Sequence, residues 1–542
     1  MNRCPICHCI YSDSTFKFCR NDGAPLVSGS FPSEDPTAKL MDSAQQTGDF
    51  DATKLLRSNM ASTEAAPLSD MAGRVRRKRQ SRKAIESLAV LPLVNANADP
   101  NAEYLSDGIT ESIINSLSRL PKLRVMARSS VFRYKGQEVD PQEVGHALQV
   151  RAVLTGRVVH LGARLIINME MVDVADGTQL WGQQYNRTIS DIFEVQEEIS
   201  SEISEKLRLR LSGDQKKRIT KRYTGSTEAY HLYMKGRYFW NKRTEDALKK
   251  SIEYFNQAIG KDKKFALAYA GIANSYNILS YYSYFPPNEI WPKAKAAAVK
   301  AIELDDTLAE AHAALAFVIL HHDWDWPAAK RECEQAIKLN PNDSIAYHWY
   351  SHYWMAMGMI TKSLAESERA LRIDPLDIAL NAHLGWHYLL ARQYDNAIEE
   401  LRNTIEMETN WINVHFWLGE AYLQKGRYEE ALAELQKADD LAEGNPRIKA
   451  DLGRAYAMWG KRNEAQKILN NLIDLSQRQY VSPYFIAEVY MGLGDNDQAF
   501  QWLDSAYEER SNWLVYLKTE PKFDGLRSDP RFIDLLQRLN LT

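Results

Sequence analysis

Between Ser344 and Arg510 four series of residues recur at one spacing. Ser351, Gly385, Gly419 and Gly453 each follow the last by 34 residues, and so do Trp354, Tyr388, Tyr422 and Tyr456. Ser363, Ala397, Ala431, Ala465 and Ala499 form a third series, and Ser367, Leu401, Leu435, Leu469 and Leu503 a fourth. A fixed period of this length describes one helix–turn–helix unit stacked on copies of itself. The small residue lets the first helix of a unit lie close to the second, and the aromatic on the same face fills the space beside it. The later alanine marks the crossing of the two helices, where a larger side chain would overpack at a cost of about 1–3 kcal/mol. Helices of roughly 12–15 residues are marginal alone in water, so neighbouring copies must supply the buried face.

These positions resemble the tetratricopeptide repeat. Leu384-Gly385-Trp386-His387-Tyr388 and Leu418-Gly419-Glu420-Ala421-Tyr422 carry its L-G-x-x-Y phrase, and Ala370 with Pro375 ends one unit. Looser copies begin near Ser226: Gly236 with Ser251, Phe255 and Ala258, then Ile272, Ala273 and Tyr276 with Ala294, Ala298 and Ala301. An aromatic insertion, 280–287, separates the helices of this second unit. Leu315, Ala316, Ala329, Cys333 and Ala336 mark a third, and Ile486, Ala487, Tyr490 and Ala506 the last. The expected fold is mainly α, a right-handed α-solenoid of about eight tetratricopeptide repeats over 226–511. Residues 512–542 are expected to cap the last apolar face, since repeat arrays need such an end.

Residues 86–213 read as a compact α/β unit. Leu88 to Val94 is an apolar run typical of a buried strand, and Asp107 to Leu120 carries Ile109, Ile113, Ile114 and Leu117 on one helix face. A short second strand over 123–127 and a helix opened by Asp140-Pro141 follow, then three alternating strands over 151–160, 164–173 and 179–187. Asp191 is the expected N-cap of a long amphipathic helix. The phrases Leu88-Ala89-Val90-Leu91-Pro92, Leu105-Ser106-Asp107-Gly108-Ile109, Val153-Leu154-Thr155-Gly156-Arg157-Val158 and Gly182-Gln183-Gln184-Tyr185 resemble the TolB amino-terminal-like (FlgO-like) domain. That resemblance implies a sensory or docking module. Asp107 and Glu111, four apart near a helix start, read as cap and dipole partners.

Four of the five cysteines lie in the first 20 residues, which argues for metal chemistry over a disulfide scaffold and for a reducing, cytoplasmic setting. Cys4-Pro5-Ile6-Cys7 and Phe18-Cys19 with Asp22-Gly23 resemble a bacterial zinc ribbon over 1–27. Cys4, Cys7, Cys19 and Asp22 would hold the zinc, with Cys9 or His8 as substitutes for Asp22. Residues 28–85 read as a disordered linker ending in seven cations between Arg74 and Lys83, either a solvated run or a contact for phosphates. The net charge of −4 argues against a chain built to coat nucleic acid. No stretch is apolar for long enough to span a membrane, and the start carries no secretory h-region.

Phosphate-loop, dinucleotide, nucleophile-elbow, zinc-protease and kinase motifs are absent from the sequence. His348 and His352 lie at i, i+4, as do His383 and His387; either pair has metal-binding spacing, but aromatic packing or ligand contact is the expected role. The function is therefore expected to rest on surface. The inward face of the array should present His348, His352 and Met355, then Trp386 and Leu389, then Phe416, Glu420 and Leu423, then Arg454. Such a groove suits a protein or peptide partner with apolar anchors. The expected role is a non-catalytic interaction scaffold or sensor in bacterial signalling. Its rivals are a regulator that touches DNA through the ribbon and basic run, and a regulatory subunit of a separate kinase or cyclase.

Overall fold

The computed structural model describes residues 85–542 apart from 101, 121, 208–210, 214, 216–220 and 284. It also describes three two-residue strands near the start, Asn2–Arg3 (β1), Ile10–Tyr11 (β2) and Val27–Ser28 (β3), with β1 pairing antiparallel to both others. The chain forms two compact units, residues 1–83 and 84–542. The expected zinc ligands and the basic run lie outside the described residues.

The second unit opens with the α/β region. Ser87–Val90 (β4) pairs parallel to Arg124–Val125 (β6) and to Ala152–Leu161 (β7); Val94–Asn95 (β5) also pairs with β7. Two antiparallel strands, Arg164–Asp173 (β8) and Gln179–Thr188 (β9), complete the order β6-β4-β7-β8-β9. Along β8 the side chains of Leu165, Ile167, Met169 and Met171 turn inward while Arg164 and Glu170 face out, the period-2 pattern of a half-covered sheet. Leu88, Ala89 and Val90 are fully buried in succession, as a strand covered on both faces requires. Glu103–Ser118 (α1) and Ile192–Lys206 (α4) supply the covering layer through Leu105, Ile109 and Ile113 and through Val195, Ile199 and Ile203. Asp140 caps Pro141–Ala147 (α3) by accepting from the Gln142 N–H at 2.8 Å. Arg128–Phe132 (α2) has no counterpart in the sequence reading, being too short to show a period.

The helices that follow fall into eight hairpins among the described residues. They are Thr227–Trp240 (α5) with Glu245–Lys261 (α6), Ala266–Tyr281 (α7) with Pro287–Leu304 (α8), Ala309–Val318 (α9) with Trp326–Leu339 (α10), and Ser344–Ala356 (α11) with Ile360–Ile373 (α12). Next come Ile378–Leu390 (α13) with Tyr394–Met407 (α14), Ile412–Gln424 (α15) with Tyr428–Leu441 (α16), Pro446–Met458 (α17) with Arg462–Ser476 (α18), and Pro483–Leu493 (α19) with Asn496–Glu508 (α20). The close approach inferred for the small residue is direct. A Cβ on Gly419 would stand 2.7 Å from Leu435 Cγ, and one on Gly385 2.6 Å from Leu401 Cγ. The crossing alanines Ala397, Ala431, Ala465 and Ala499 are fully buried. Cys333 is buried, and burial pushes its thiol well above the usual range, as suits a small apolar core residue.

The α/β region is clasped to the repeats by buried and half-buried polar groups. Asn342 donates to the Ser118 carbonyl at 2.7 Å and the Leu123 carbonyl at 3.1 Å, and Ser130 Oγ donates to Asp374 at 2.5 Å. Glu111 pairs with Arg237 of α5 and with Arg128, while Asp107 accepts from Lys135 at 2.6 Å. Because α1 begins at Glu103, neither carboxylate sits where a cap or dipole partner must; Glu111 instead fastens α1 to the first hairpin.

Candidate functional site

Three registers of the 34-residue period face the inside of the array. One runs His352, Trp386, Glu420, Arg454 and Glu488; a second runs His348, Ala382, Phe416, Ala450 and Tyr484. The third, Trp349, His383, Trp417, Asp451 and Phe485, escaped the sequence reading, although it lies one residue on from the second at the same spacing.

The structure places the expected groove residues under cover. His348, Phe416 and Arg454 are 3–4% exposed, and His352, Met355, Trp386, Leu389, Glu420 and Leu423 no more than 2%. What covers the centre of this face is the chain itself. After α20 the backbone turns back as two 3₁₀ turns, Asn512–Tyr516 and Pro521–Leu526, and lies along the concave side before Pro530–Arg538 (α21). The expectation of a simple end cap therefore needs correction: α21 does cover the last hairpin, through Arg531 to Asp497 at 2.8 Å and Arg538 to Asp504 at 2.7 Å. The stretch before it is a return segment that reaches much further back. Trp513 Nε1 donates to Ser283 Oγ at 3.2 Å; beyond α21, the Leu539 carbonyl accepts from Trp326 Nε1 at 2.9 Å.

Two seats hold this segment. The first is aromatic. Tyr516 is buried with its ring 4.7 Å from that of Trp386, edge-on, and Trp386 stacks on Trp417 at 5.5 Å. The Tyr516 hydroxyl meets His352 Nδ1 at 2.6 Å and His321 Nε2 at 3.1 Å. His321 lies in a π-helical turn, Ile319–Asp323, fully buried beside Phe317. Burial lowers His321 to about 3 and His383 to about 4, so the imidazoles of this bowl are neutral. Burial likewise holds His348, His352 and His387 well below the usual range.

The second seat is ionic. Lys522, 8% exposed at its side chain, contacts Glu488 at 2.7 Å and Asp451 at 2.9 Å, with Glu420 at 3.9 Å. Glu420 in turn pairs with Arg454. Burial alone would lower Lys522, but Asp451 and Glu488 hold it above the ordinary ammonium value. Burial raises Glu488 against the pull of Lys522. Four buried carboxyls, Glu420, Asp451, Glu488 and Glu520, face the cations of Lys522 and Arg454 here, so full ionisation is unfavourable. At the rim, Asp524 accepts from Arg392 Nε at 3.0 Å. The two seats thus offer neutral rings and one ion-paired ammonium.

A family model for the second domain of HilA/YgeH-like transcriptional regulators matches residues 83–202, and a tetratricopeptide repeat model matches 388–450 and 422–482. A curated relative, a putative adenylate cyclase 3 of Rhizobium meliloti (strain 1021), is 42% identical over 151 residues, which is 28% of this chain and 26% of that protein. This chain thus matches about a quarter of the relative's length. Among solved structures, a human IFIT1 dimer with PPP-AAAA aligns over 74% of this chain and 94% of its own at 14% identity and a TM-score of 0.43. Yeast Tom70 aligns over 58% and 68% at 17% identity and 0.38. The hairpin array is built of tetratricopeptide repeats, and its concave face is the candidate site.

Proposed function

We infer that this chain is a non-catalytic interaction protein of bacterial signalling whose repeats hold a peptide segment of a partner. The observation that best supports this is the return segment, which the concave face grips through a seat for Tyr516 and a seat for Lys522. A partner segment with an aromatic and a lysine at that spacing is the ligand this face fits, and it competes with residues 512–526. Competition lowers the partner's apparent affinity by the fraction of chains whose groove stands open. The α/β unit, 86–213, is read as a TolB amino-terminal-like docking or sensory module, and the match to a regulator domain supports a place in signalling. The chain is placed in the cytoplasm on the argument from its cysteines. Residues 1–27 are read as a zinc-ribbon-like contact; elemental analysis should find zinc that is lost when Cys4 and Cys7 become serine.

The test is a labelled peptide of residues 511–527 added to the full-length chain carrying Lys522→Met, followed by fluorescence anisotropy. The variant loosens its own segment but keeps every groove residue. It should take up the native peptide more readily than the unaltered chain does, and reject one with alanine at both anchors. A Lys522→Met chain whose segment is open by hydrogen exchange yet ignores the native peptide would sink the reading. The match over 83–202, beside the cations of 74–83, favours one alternative, a regulator that touches DNA. A salt-dependent shift of random duplex, abolished by deleting 1–84, would support it.

A further inference from the structure

The geometry points to a buried transition-metal site formed by His348, His352 and His383 on the concave face. His348 and His352 stand one turn apart on α11, and His383 comes from α13 of the next repeat. One ring nitrogen from each lies within 4.8 Å of the other two. The ring centroids are 4.5, 4.6 and 5.1 Å apart, so the three imidazoles surround one point. Metal–nitrogen bonds of about 2.0–2.1 Å need the donors to draw in by roughly 1–1.5 Å, a motion within reach of side-chain rotation.

The hydrogen bonding of these rings supports the assignment independently of their spacing. His383 Nδ1 lies 2.7 Å from the Ala379 carbonyl, which only accepts, so the proton sits on Nδ1 and Nε2 presents a lone pair. That Nε2 is buried and has no hydrogen-bond partner. His352 repeats the arrangement, with Nδ1 against the Tyr516 hydroxyl and Nε2 buried without a partner. Neighbouring His387, its Nδ1 2.9 Å from Ser367 Oγ, leaves a third partnerless Nε2, with its ring 5.1 Å from His352. An unsatisfied buried polar atom costs about 1–3 kcal/mol, and several of them within one bowl call for a shared occupant. Metal-bound histidines are commonly oriented by a carbonyl or hydroxyl on the other nitrogen, which is the arrangement here.

The donor set selects the ion. Neutral imidazoles, with no carboxylate in the group, suit zinc, cobalt or copper and do not suit calcium or magnesium. A hydroxide, a water or the His387 ring can complete a fourth position. The ion would tie the fourth hairpin to the fifth and fix the ring that Tyr516 leans on. The inference stands apart from the peptide reading, because it concerns metal uptake and not what fills the groove.

The experiment uses the full-length chain with Cys4, Cys7, Cys9 and Cys19 changed to serine, which removes thiolate binding near the start. After chelator treatment it is titrated with Co2+, then with Zn2+, with Mg2+ and Ca2+ as controls. Uptake of one Co2+ with tetrahedral d–d bands, no thiolate charge transfer and displacement by Zn2+ is expected. His383→Gln should weaken uptake by at least about tenfold. His312→Gln, a buried histidine bonded to Glu332 elsewhere in the array, should not change it. Circular dichroism checks the fold of each variant. Should His383→Gln disturb it, X-ray absorption of the unaltered site decides, with at least three nitrogen neighbours at about 2.0–2.1 Å expected. Absence of Co2+ and Zn2+ uptake by the chain lacking the four N-terminal cysteines, uptake indifferent to a folded His383→Gln chain, or oxygen-dominated ligation would overturn the assignment.

Discussion

Replacing Lys522 by methionine isolates the ionic seat of the return segment. Methionine keeps most of the side-chain length and deletes the ammonium that contacts Glu488 at 2.7 Å and Asp451 at 2.9 Å. Asp451, Glu488 and Glu420 are 0–2% exposed at their side chains, so water cannot replace the lost cation, and only Arg454 and the more distant Arg447 remain to balance them. Removing one member of a buried ion cluster costs roughly 3–5 kcal/mol. The exposed Lys221–Asp305 pair, at a similar 2.7 Å, should be worth only about 0–1 kcal/mol. At about 1.4 kcal/mol per tenfold, local opening of the segment should rise between about 100- and 4000-fold. Native-state hydrogen exchange reads this directly, as lost protection of the amides across 512–526 while those of α13 and α15 keep theirs. The carboxyls can answer by binding protons, so the loss should be smaller at pH 5 than at pH 8. Adding Asp451→Asn and Glu488→Gln should recover part of the cost, since the stranded charges go with it. Protection that falls by less than about tenfold at pH 8 would refute the claim that this ammonium holds the segment down.

Three further outcomes follow from the same packing. Gly419→Leu places atoms where even a Cβ would stand 2.7 Å from Leu435 Cγ and 3.1 Å from the Ala431 carbonyl, and should destabilise by about 1–3 kcal/mol in urea, with Leu435→Ala restoring part. Asn342→Ala strips its amide from the Ser118 and Leu123 carbonyls and should cost about 1–3 kcal/mol, seen as faster exchange at the end of α1. Glu488 has a folded pKa raised by burial, so it stabilises while protonated. That contribution is complete below its ordinary value of 4.5 and is lost as pH climbs through the raised one. The melting temperature of the unaltered chain, minus that of Glu488→Gln, should therefore decline from pH 5 to pH 8.

The repeat array was legible because its information is local and recurs: Gly419, Tyr422, Ala431 and Leu435 lie within one hairpin, and the next hairpin states them again. The strands of the α/β region were legible for a similar reason, since β7, β8 and β9 meet through short turns and β8 alternates strictly. Which side chains point inward also followed from the period, at His352, Trp386, Glu420 and Arg454. That those side chains are covered did not. Tyr516 meets His352 across 164 residues, and Lys522 meets Asp451 across 71, in a stretch with no period and only short 3₁₀ turns. A hint was present in Glu420 and Glu488, inward-facing acids in a curved apolar wall, which need a cation from somewhere. The His383 contact to His348 was hidden by register. It belongs to the series of Trp349, and only the curvature of the stack brings two series together.

A groove sealed by sequence that lies beyond it is bare while the protein is being made. The walls around Trp386 and Glu420 can assemble once α19 and α20 have left the ribosome, but Tyr516 and Lys522 emerge afterwards. At about 5–20 residues per second, that interval lasts on the order of seconds. During it the aromatic bowl and the acidic seat face the cell unguarded, open to chaperones, to a nascent neighbour on the same message, or to an ion. The state of the groove in the finished molecule can thus be settled by what reaches it first at birth.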